Sequence, residues 1–179
     1  MNETFMSDYY RMTGEKYTKN VRALVNIVFR HNIRYMYLYR KYQKHSNLFL
    51  KYKLFKLNRK YGLEISLNAD IGEGLYLGHP YNITVADGTR IGKNVNLNKG
   101  CTIGRENRGS RQGVPTSGDN VYVGINATVV GKIHIGSDVL IAPNAFVNFD
   151  VPEHSIVTGN PGVVHAKDDA TNSYVNFCV

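Results

Sequence analysis

Residues 117–152 read SGDNVYVGINATVVGKIHIGSDVLIAPNAFVNFDVP, and apolar residues recur in this stretch at every sixth position. The first position of the repeat is Val or Ile, the second is often Gly or Ala, and the fifth is small or β-branched. The first positions are Val123, Val129, Ile135, Ile141 and Val147, and the fifth positions are Val121, Ala127, Ile133, Val139, Ala145 and Val151. An amphipathic helix repeats near 3.6 residues and a half-buried strand near two, so neither explains the pattern.

A six-residue period of this composition is typical of a hexapeptide parallel β-helix. Each hexad forms one flat side, and three sides make a triangular coil. The first-position aliphatic side chains fill the axis, the small fifth-position residues allow the corners to turn, and successive coils pair as parallel strands. The predicted fold is therefore an all-β parallel β-helix over the repeat.

The repeat extends outward from this stretch, with two irregularities. It begins weakly at Ile65, slips by two residues around residues 79–83, and is interrupted by an Arg/Gly/Ser-rich loop at residues 105–116. It ends after Pro152 in VPEHSIVTGNPGVV, which Pro and Gly punctuate. Interruptions of a repeat array form loops on one face, often the binding face.

An α-helical segment precedes the repeat. Apolar residues recur at helical spacing from Val21 to Gln43, and a second helix is expected between a cap at Ser46 or Asn47 and a stop at Gly62. We therefore predict a helical segment at residues 1–62, a β-helix domain at 63–166 and a tail at 167–179 whose pattern is too weak to assign.

Positive charge is concentrated in the helical segment. The chain carries a formal charge of +8, but residues 1–62 hold 14 Lys and Arg against 3 Asp and Glu, and residues 63–179 hold 8 against 11. One interpretation of residues 21–61 is a hairpin packed on the end of the β-helix with solvated lysines. The other is contact with an anionic membrane surface or a polyanionic glycan. A nucleic-acid partner is not expected, because no known nucleic-acid module is present.

The cysteine count and the N-terminus bear on the compartment. Two cysteines, Cys101 and Cys178, are too few for a disulfide framework. The N-terminal sequence lacks the pattern of a signal peptide, and the most apolar segment, Ala23–Phe29, is too short to span a bilayer. We expect a cytoplasmic protein, either free or peripheral at the inner face of the membrane.

His79 is the first candidate for chemistry, because it lies at the two-residue slip where a side chain can leave the wall of the coil. A histidine titrates near neutral pH and can remove a proton from an alcohol. The alternative is a corner histidine that bonds a backbone carbonyl. Neither Cys101 nor Cys178 fits a nucleophile, since Cys101 occupies a fifth position, where a small buried apolar residue belongs.

The stretch Glu64–Val164 resembles the hexapeptide-repeat acyltransferases, most closely the serine O-acetyltransferase branch and its relatives in bacterial capsule and exopolysaccharide loci. The matching motifs, in chain order, are IGEGLYLGHPYNITV, IGKNVNLNKGCTIG, a Gly-rich loop, GDNVYVGINATVVGKIHIGSDVLIAPNAFVNFDVP and GNPG. The resemblance implies a left-handed β-helix, an exception to the right-handed crossover rule. It also implies a homotrimer with active sites between subunits, acetyl-CoA as cosubstrate and no metal.

The resemblance assigns catalytic roles to two residues. His79 falls on the family's catalytic histidine and would act as general base for direct attack of an acceptor hydroxyl on the thioester. Glu64 falls on the carboxylate that orients this histidine; its alternative is a solvated charge at a strand edge.

The resemblance also places the cofactor. The pantetheine arm would lie along small second-position residues, which are Gly124 and Ala142, and the adenine would lie near the turn that holds Gly159 and Pro161. Lys167 is the nearest candidate partner for a coenzyme phosphate. Gly124 and Ala142 have a second explanation, because only small residues fit the corner of a coil.

Two departures from the serine enzymes bear on the acceptor. Gly78 replaces the acid before the catalytic histidine, and the family's Arg-His pair falls at residues 113–114, where neither side chain is present. Arg105, Arg108 and Arg111 lie in the same loop and would bind the acceptor, or are solvated loop charges. These departures favour a sugar hydroxyl of a capsule or exopolysaccharide precursor. L-serine and other small alcohols are alternative acceptors, and a non-catalytic β-helix scaffold, which would not bind acetyl-CoA, is a further alternative.

Overall fold

The computed structural model describes residues 3–179, which form a helical segment followed by a triangular β-helix. The helices are α1 (Glu3–Thr13), α2 (Val21–Phe29), α3 (His31–Lys44) and α4 (Leu48–Tyr61). The Asn47 side chain caps α4 by accepting from the Leu50 N–H at 2.9 Å. Gly62 ends α4 in the left-handed conformation, as a residue without Cβ can do at low cost.

Three parallel sheets form the sides of the β-helix. Sheet A contains β1 (Glu64–Ile65), β4 (Thr84–Val85), β7 (Thr102–Gly104), β10 (Thr128–Val130) and β13 (Phe146–Val147). Sheet B contains β2 (Asp70–Ile71), β5 (Arg90–Ile91), β8 (Thr116–Ser117) and β11 (His134–Ile135). Sheet C contains β3 (Tyr76–Gly78), β6 (Asn96–Asn98), β9 (Val121–Val123), β12 (Val139–Ile141), β14 (Ser155–Thr158) and the antiparallel β15 (Val163–Ala166).

The hexad residues form the core of this prism. Every first and fifth position between Val121 and Val151 is at most 5% exposed. Val123, Val129, Ile141 and Val147 point to the axis from strands of two different sides. The sequence prediction of a hexapeptide parallel β-helix is therefore confirmed.

A buried ion pair fixes the helices to the first coil of the β-helix. The Arg40 guanidinium donates to the Asp8 carboxylate, with 2.7 Å between Nε and Oδ2, and also to the Ile71 and Gly72 carbonyls. Asp8 in turn accepts from the Leu75 N–H at 2.8 Å. This network joins α1, α3 and the coil, so the helical segment packs on the end of the β-helix.

Two predictions about the helices are wrong. The helix expected over Val21–Gln43 is two helices, because Arg30 adopts an extended conformation and its guanidinium bonds the Met12 carbonyl at 3.1 Å. Within the helical segment predicted at residues 1–62, the sequence pattern placed no individual helix before Val21, yet the structure has α1 there, which buries Phe5 and Tyr9. The helix forms because tertiary packing, not local pattern, supplies most of its stability.

The C-terminal tail, which the sequence pattern left unassigned, folds back on sheet C. The Asp138 carboxylate accepts from the N–H groups of Ala170 and Thr171 and from the Thr171 hydroxyl. Further along, Val179 and the Asn94 side chain exchange two hydrogen bonds, at 2.9 and 3.0 Å. Both ends of the described chain thus pack on the same side of the β-helix.

Candidate active site

The turns that follow the strands of sheet C are stacked into a column along one corner of the prism, here called the C–A corner. They comprise residues 79–83, 99–101, 124–127, 142–145 and 159–162. Backbone hydrogen bonds of 2.9–3.0 Å run up the column, from Gly100 to Tyr81, from Asn126 to Lys99 and from Asn144 to Ile125. Residues far apart in sequence therefore lie on one edge of the molecule.

His79 opens this column and its side chain is exposed. Its backbone lies in the left-handed region, with φ of 48°, directly before Pro80. Histidine is among the few residues that visit this region. The same conformation recurs at Asn126 and Asn144 in later turns of the column, so it is a property of the turn. Within residues 3–179, no hydrogen bond reaches the imidazole, so neither ring nitrogen is committed to a structural partner. The corner-histidine alternative, with a bond to a backbone carbonyl, does not describe this geometry.

Aromatic contacts with the helices hold the turn that carries His79. The Tyr81 ring packs edge-on against Tyr61 with centroids 5.5 Å apart, and His31 stacks on Tyr61 at 4.4 Å. The Asn82 N–H donates to the Tyr61 carbonyl at 2.9 Å. The helical segment therefore fixes the slip loop whose position in the repeat exposes His79.

Four of the predicted cofactor residues lie in the same column as His79. Gly124 and Ala142 follow β9 and β12, and Gly159 and Pro161 follow β14. Stacked parallel strands are about 4.8 Å apart, so Gly159 lies roughly 19 Å along the axis from His79. Gly124 cannot be replaced, because a Cβ there would lie 2.6 Å from the Pro143 nitrogen and 2.7 Å from the Ile141 carbonyl oxygen.

A pocket of about 490 Å³ lies beside His79 on the sheet C side. Its walls come from α1, from β3, β6 and β9, and from the C-terminal tail; the lining includes Arg11, Met12, Thr13, Tyr76, Gly78, His79, Asn96, Asn98, Tyr122, Ile125, Ser173, Tyr174, Asn176 and Phe177. Arg11 and His79 are the two basic residues among these described lining residues. Arg11 bonds the Gly74 carbonyl at 3.0 Å and the Asn96 amide oxygen, which holds its charge at the pocket.

Asn98 occupies the space beside Gly78. A Cβ on Gly78 would overlap the Asn98 Oδ1 and lie 3.1 Å from its Cγ. The same amide donates to the Val123 carbonyl at 2.8 Å inside the wall. The position at which the serine enzymes carry an acid is therefore filled by a neighbouring amide, and the glycine does not leave an open space.

Two other predicted site residues, Glu64 and Lys167, form no hydrogen bond with His79 among the described residues. Glu64 is exposed at the start of β1, one coil before the His79 turn, and no hydrogen bond joins the two side chains among the described residues. Lys167 lies at the far end of β15, where its N–H donates to the His154 carbonyl. The roles of Glu64 and Lys167 stay predictions.

The three loop arginines are exposed and do not line the described pocket. Arg105 reaches the Asp87 carbonyl only at 3.5 Å, and Arg111 accepts the Lys132 N–H through its backbone. The loop is closed by a short antiparallel bridge between Glu106 and Gly113.

Burial makes Cys101 inert. It is fully buried, and burial raises the pKa of its thiol to about 12. A thiolate is therefore not formed near neutral pH, which agrees with direct attack as the predicted chemistry.

The sequence did not reveal the pocket walls. Arg11 lies on a helix that local pattern did not predict, and Tyr174 lies in a tail without periodicity. The one available signal was the Asn-x-Asn-x-Asn run at residues 94–98, where polar side chains stand at strand positions that the repeat leaves free. The partners of Asn94 and Asn96, which are Arg11, Tyr174 and Val179, are 78 to 85 residues away.

These features define a class: a hexapeptide-repeat β-helix with an unpaired histidine at the base of a corner lined by small residues. No family model matches the chain. It is 36% identical over 107 residues to a serine acetyltransferase of Helicobacter pylori, which covers 60% of this chain and 63% of that protein. It is 38% identical over 109 residues to the serine acetyltransferase of Staphylococcus xylosus, which covers 60% of this chain and 50% of that protein.

Solved structures agree on the fold. The crystal structure of Neisseria gonorrhoeae serine acetyltransferase in complex with serine superposes with a TM-score of 0.74, covering 92% of this chain and 68% of that chain at 23% identity. The serine acetyltransferase from Brucella abortus gives a TM-score of 0.72 at 20% identity, over 92% of this chain and 67% of that one. The left-handed parallel β-helix, preceded by helices, is therefore confirmed.

The resemblance to hexapeptide-repeat acyltransferases is likewise confirmed, and the similar proteins found are serine acetyltransferases. The chain spans between 33% and 63% of the length of these curated relatives.

The expectation of a sugar acceptor is wrong. The relatives and the structural neighbours found are serine acetyltransferases, and none of those described is a polysaccharide enzyme. Two structural facts explain the error. The absent acid at Gly78 is replaced in space by Asn98, and the Arg/Gly/Ser-rich loop at residues 105–116 contributes no wall to the described pocket, which α1 and the tail help to line.

Proposed function

We propose that this chain is an acetyl-CoA-dependent O-acetyltransferase whose acceptor is L-serine. The observation that carries the proposal is the uncommitted, exposed His79 ring at the base of the C–A corner, in a stretch that aligns with serine acetyltransferases. The partly open pocket of about 490 Å³ beside His79 has room for a small amino acid, and the buried positive charge of Arg11 in its wall favours a ligand with a carboxylate.

The reaction assigns each step to a group. His79 takes the proton from the serine hydroxyl, and the hydroxyl oxygen attacks the thioester carbonyl carbon. Backbone N–H groups of the corner stabilise the oxyanion, which is the usual largest contribution in such reactions. The carbon–sulfur bond then breaks, and the coenzyme thiolate recovers the proton from His79.

The cofactor groove and the assembly belong to the same proposal. The small residues Gly124, Ala142 and Gly159 leave the C–A corner smooth enough for an elongated coenzyme, and a neighbouring subunit would supply the other wall. We expect a homotrimer with parallel axes, in which a neighbour's Arg105, Arg108 and Arg111 would approach the acceptor. Sedimentation of a stable monomer at micromolar concentration would contradict this arrangement.

The test is thiol release from acetyl-CoA with L-serine as acceptor. We expect a specificity constant of about 10⁴ M⁻¹s⁻¹ or more, in the range of dedicated enzymes. His79→Ala should lower turnover by roughly a hundredfold or more, as removal of a general base does. The matched control is His134→Ala, because His134 is an exposed histidine on sheet B. No serine-dependent release by the intact protein would refute the proposal.

Glu64→Gln tests the orienting role. If Glu64 acts through His79, its loss should lower turnover less than His79→Ala, and the double variant should be no slower than His79→Ala alone. A thermal-shift scan with acetyl-CoA and CoA separates an enzyme from a scaffold, because a ligand that binds only the native state raises its melting temperature.

A further inference from the structure

The outer face of α4 is apolar, exposed and bordered by positive charge. Leu50 and Leu54 face the core at 4% and 1% exposure. On the opposite side, Leu48, Phe49, Tyr52 and Phe55 are 82%, 64%, 52% and 52% exposed. We call these four residues, with Lys51, Lys53, Lys56, Arg59 and Lys60, the α4 face.

Helical geometry arranges the α4 face as a stripe. At about 100° per residue, Leu48, Tyr52 and Phe55 fall within roughly 60° of one another. Arg59 falls within this stripe, at its C-terminal end. Lys51 borders the stripe on one side, and Lys56, Lys60 and Lys53 follow in that order on the other. An exposed aromatic stripe with cations at its end and along its margins is typical of a helix that lies in a membrane interface.

Contacts along the helix couple the charges to the rings. The Lys53 ammonium lies 4.3 Å from the Phe49 ring centre, and the Lys56 ammonium lies 4.6 Å from that of Tyr52. An apolar groove of about 380 Å³ runs beside them between α3 and α4, lined by Arg34, Leu38, Phe49, Tyr52, Lys53, Lys56 and Leu57. Apolar area is therefore available next to cations that can reach a charged headgroup.

The positive charge around the α4 face favours one kind of binding partner over the others. Residues 21–61 hold 11 Lys and Arg and no Asp or Glu. A second copy of this face in a two-fold contact would bring like charges together, because such an interface is self-complementary. No helix among residues 3–179 is long and apolar enough to cross a bilayer. The complementary occupant is an anionic surface with an apolar layer beneath its headgroups.

We propose that the α4 face docks the protein on the surface of an anionic phospholipid bilayer. The aromatic and aliphatic side chains enter the headgroup boundary, and the lysines pair with lipid phosphates. This docking is independent of the acceptor and of His79.

The experiment is sedimentation of the intact 179-residue chain with vesicles. We expect binding to vesicles of phosphatidylglycerol mixed with phosphatidylcholine, no binding to phosphatidylcholine alone, and weakening as salt is raised from about 0.05 to 0.3 M. Lys53→Gln with Lys56→Gln should lower the partition coefficient roughly 25-fold, since each basic residue at such a surface contributes about fivefold. The matched control, Arg90→Gln with Lys132→Gln, removes the same charge from exposed β-helix positions and should change binding less than threefold.

A second pair of variants tests the apolar contribution. Phe49→Ser with Phe55→Ser should lower partitioning at least tenfold at unchanged charge, while Val163→Ser with Ile125→Ser, on exposed β-helix sites, should not. Equal effects in the two pairs, equal binding to both vesicle types, or no binding would overturn the proposal. Binding to soluble heparin that survives Phe49→Ser with Phe55→Ser and exceeds binding to vesicles would overturn it in favour of a polyanionic glycan. A fall in assembly size caused by the same variant would overturn it in favour of a self-interface.

Discussion

Gly78→Ala should destabilise the protein by displacing the side chain of Asn98. A Cβ at residue 78 would overlap the Asn98 Oδ1 and also lie 3.2 Å from Cε1 of Tyr76. The Asn98 amide would have to turn away and give up its 2.8 Å hydrogen bond to the buried Val123 carbonyl. The glycine φ is not in the left-handed region, so the cost is steric and not conformational.

The size of the effect follows from two contributions. Loss of this hydrogen bond leaves the buried Asn98 amide without its partner, which costs about 1–3 kcal/mol, and overpacking of a dense wall costs about 1–3 kcal/mol more. We expect the free energy of unfolding to fall by about 2–5 kcal/mol, measured by urea denaturation. In a chain of this length each kcal/mol lowers Tm by about 2–4 °C, so the melting temperature should fall by roughly 4–20 °C.

Two controls isolate the cause. Gly104→Ala is a matched change at the end of a strand, where the nearest atom to a new Cβ is a side-chain methyl of Val130 at 3.0 Å; it should be within about 1 kcal/mol of neutral. In an Asn98→Ala background, Gly78→Ala should cost less than about 1 kcal/mol, because the obstructing amide is gone. An equal cost of Gly78→Ala in both backgrounds would refute the steric argument.

Two further predictions concern the buried ion pair and the tail. Arg40→Met should lower the free energy of unfolding by about 3–5 kcal/mol, since it leaves the Asp8 carboxylate buried without its partner; urea denaturation checks this, and a loss below about 1 kcal/mol would contradict it. The Asp138 carboxylate holds the tail and accepts a hydrogen bond from His154. We expect these contacts to order the tail best between about pH 3.8 and 6.5, the ordinary pKa values of the two groups. The hydrogen bond with Asp138 raises the pKa of His154. The stabilisation of the tail by protonated His154 is therefore complete below pH 6.5 and is lost as the pH rises through the raised pKa. Burial alone would raise the pKa of Asp138, but hydrogen bonds from the tail and His154 outweigh it and lower the pKa, so its contribution is lost as pH falls through that value. Amide hydrogen exchange of residues 170–179 measures both limits, and His154→Ala should abolish the upper one.

The β-helix was predictable because its determinants are local and repeated. Each hexad carries the same pattern of apolar and small residues, and every first and fifth position from Val121 to Val151 is buried as that pattern predicts. The slip at His79 was visible for the same reason, as a departure from an otherwise regular count. A corner that repeats every coil also places Gly124, Ala142 and Gly159 above His79 without further information.

What the sequence did not reveal lies in contacts between distant segments. α1 is stabilised by the Asp8–Arg40 pair, whose members are 32 residues apart. A sequence periodicity does not predict such a pair. The end of the tail is held by Asn94, 85 residues before it. The error about the acceptor had the same origin, since the meaning of Gly78 depends on Asn98 in the next coil and cannot be taken from one position of the chain.

In the proposed enzyme, the repeat and the two terminal segments outside it would have different roles. In the proposal the repeat would supply the base and the cofactor corner, and its geometry is fixed by close contacts that leave little freedom at Gly124 or Gly78. The walls of the pocket beside His79 come partly from two segments outside the repeat, α1 with Arg11 and the tail with Tyr174. These segments can change in sequence without disturbing the coil, because they bind it through side-chain contacts and not through the ladder of parallel strands. Selectivity for the acceptor should therefore respond to substitutions in the two terminal segments, whereas reactivity with acetyl-CoA should respond to substitutions in the corner column.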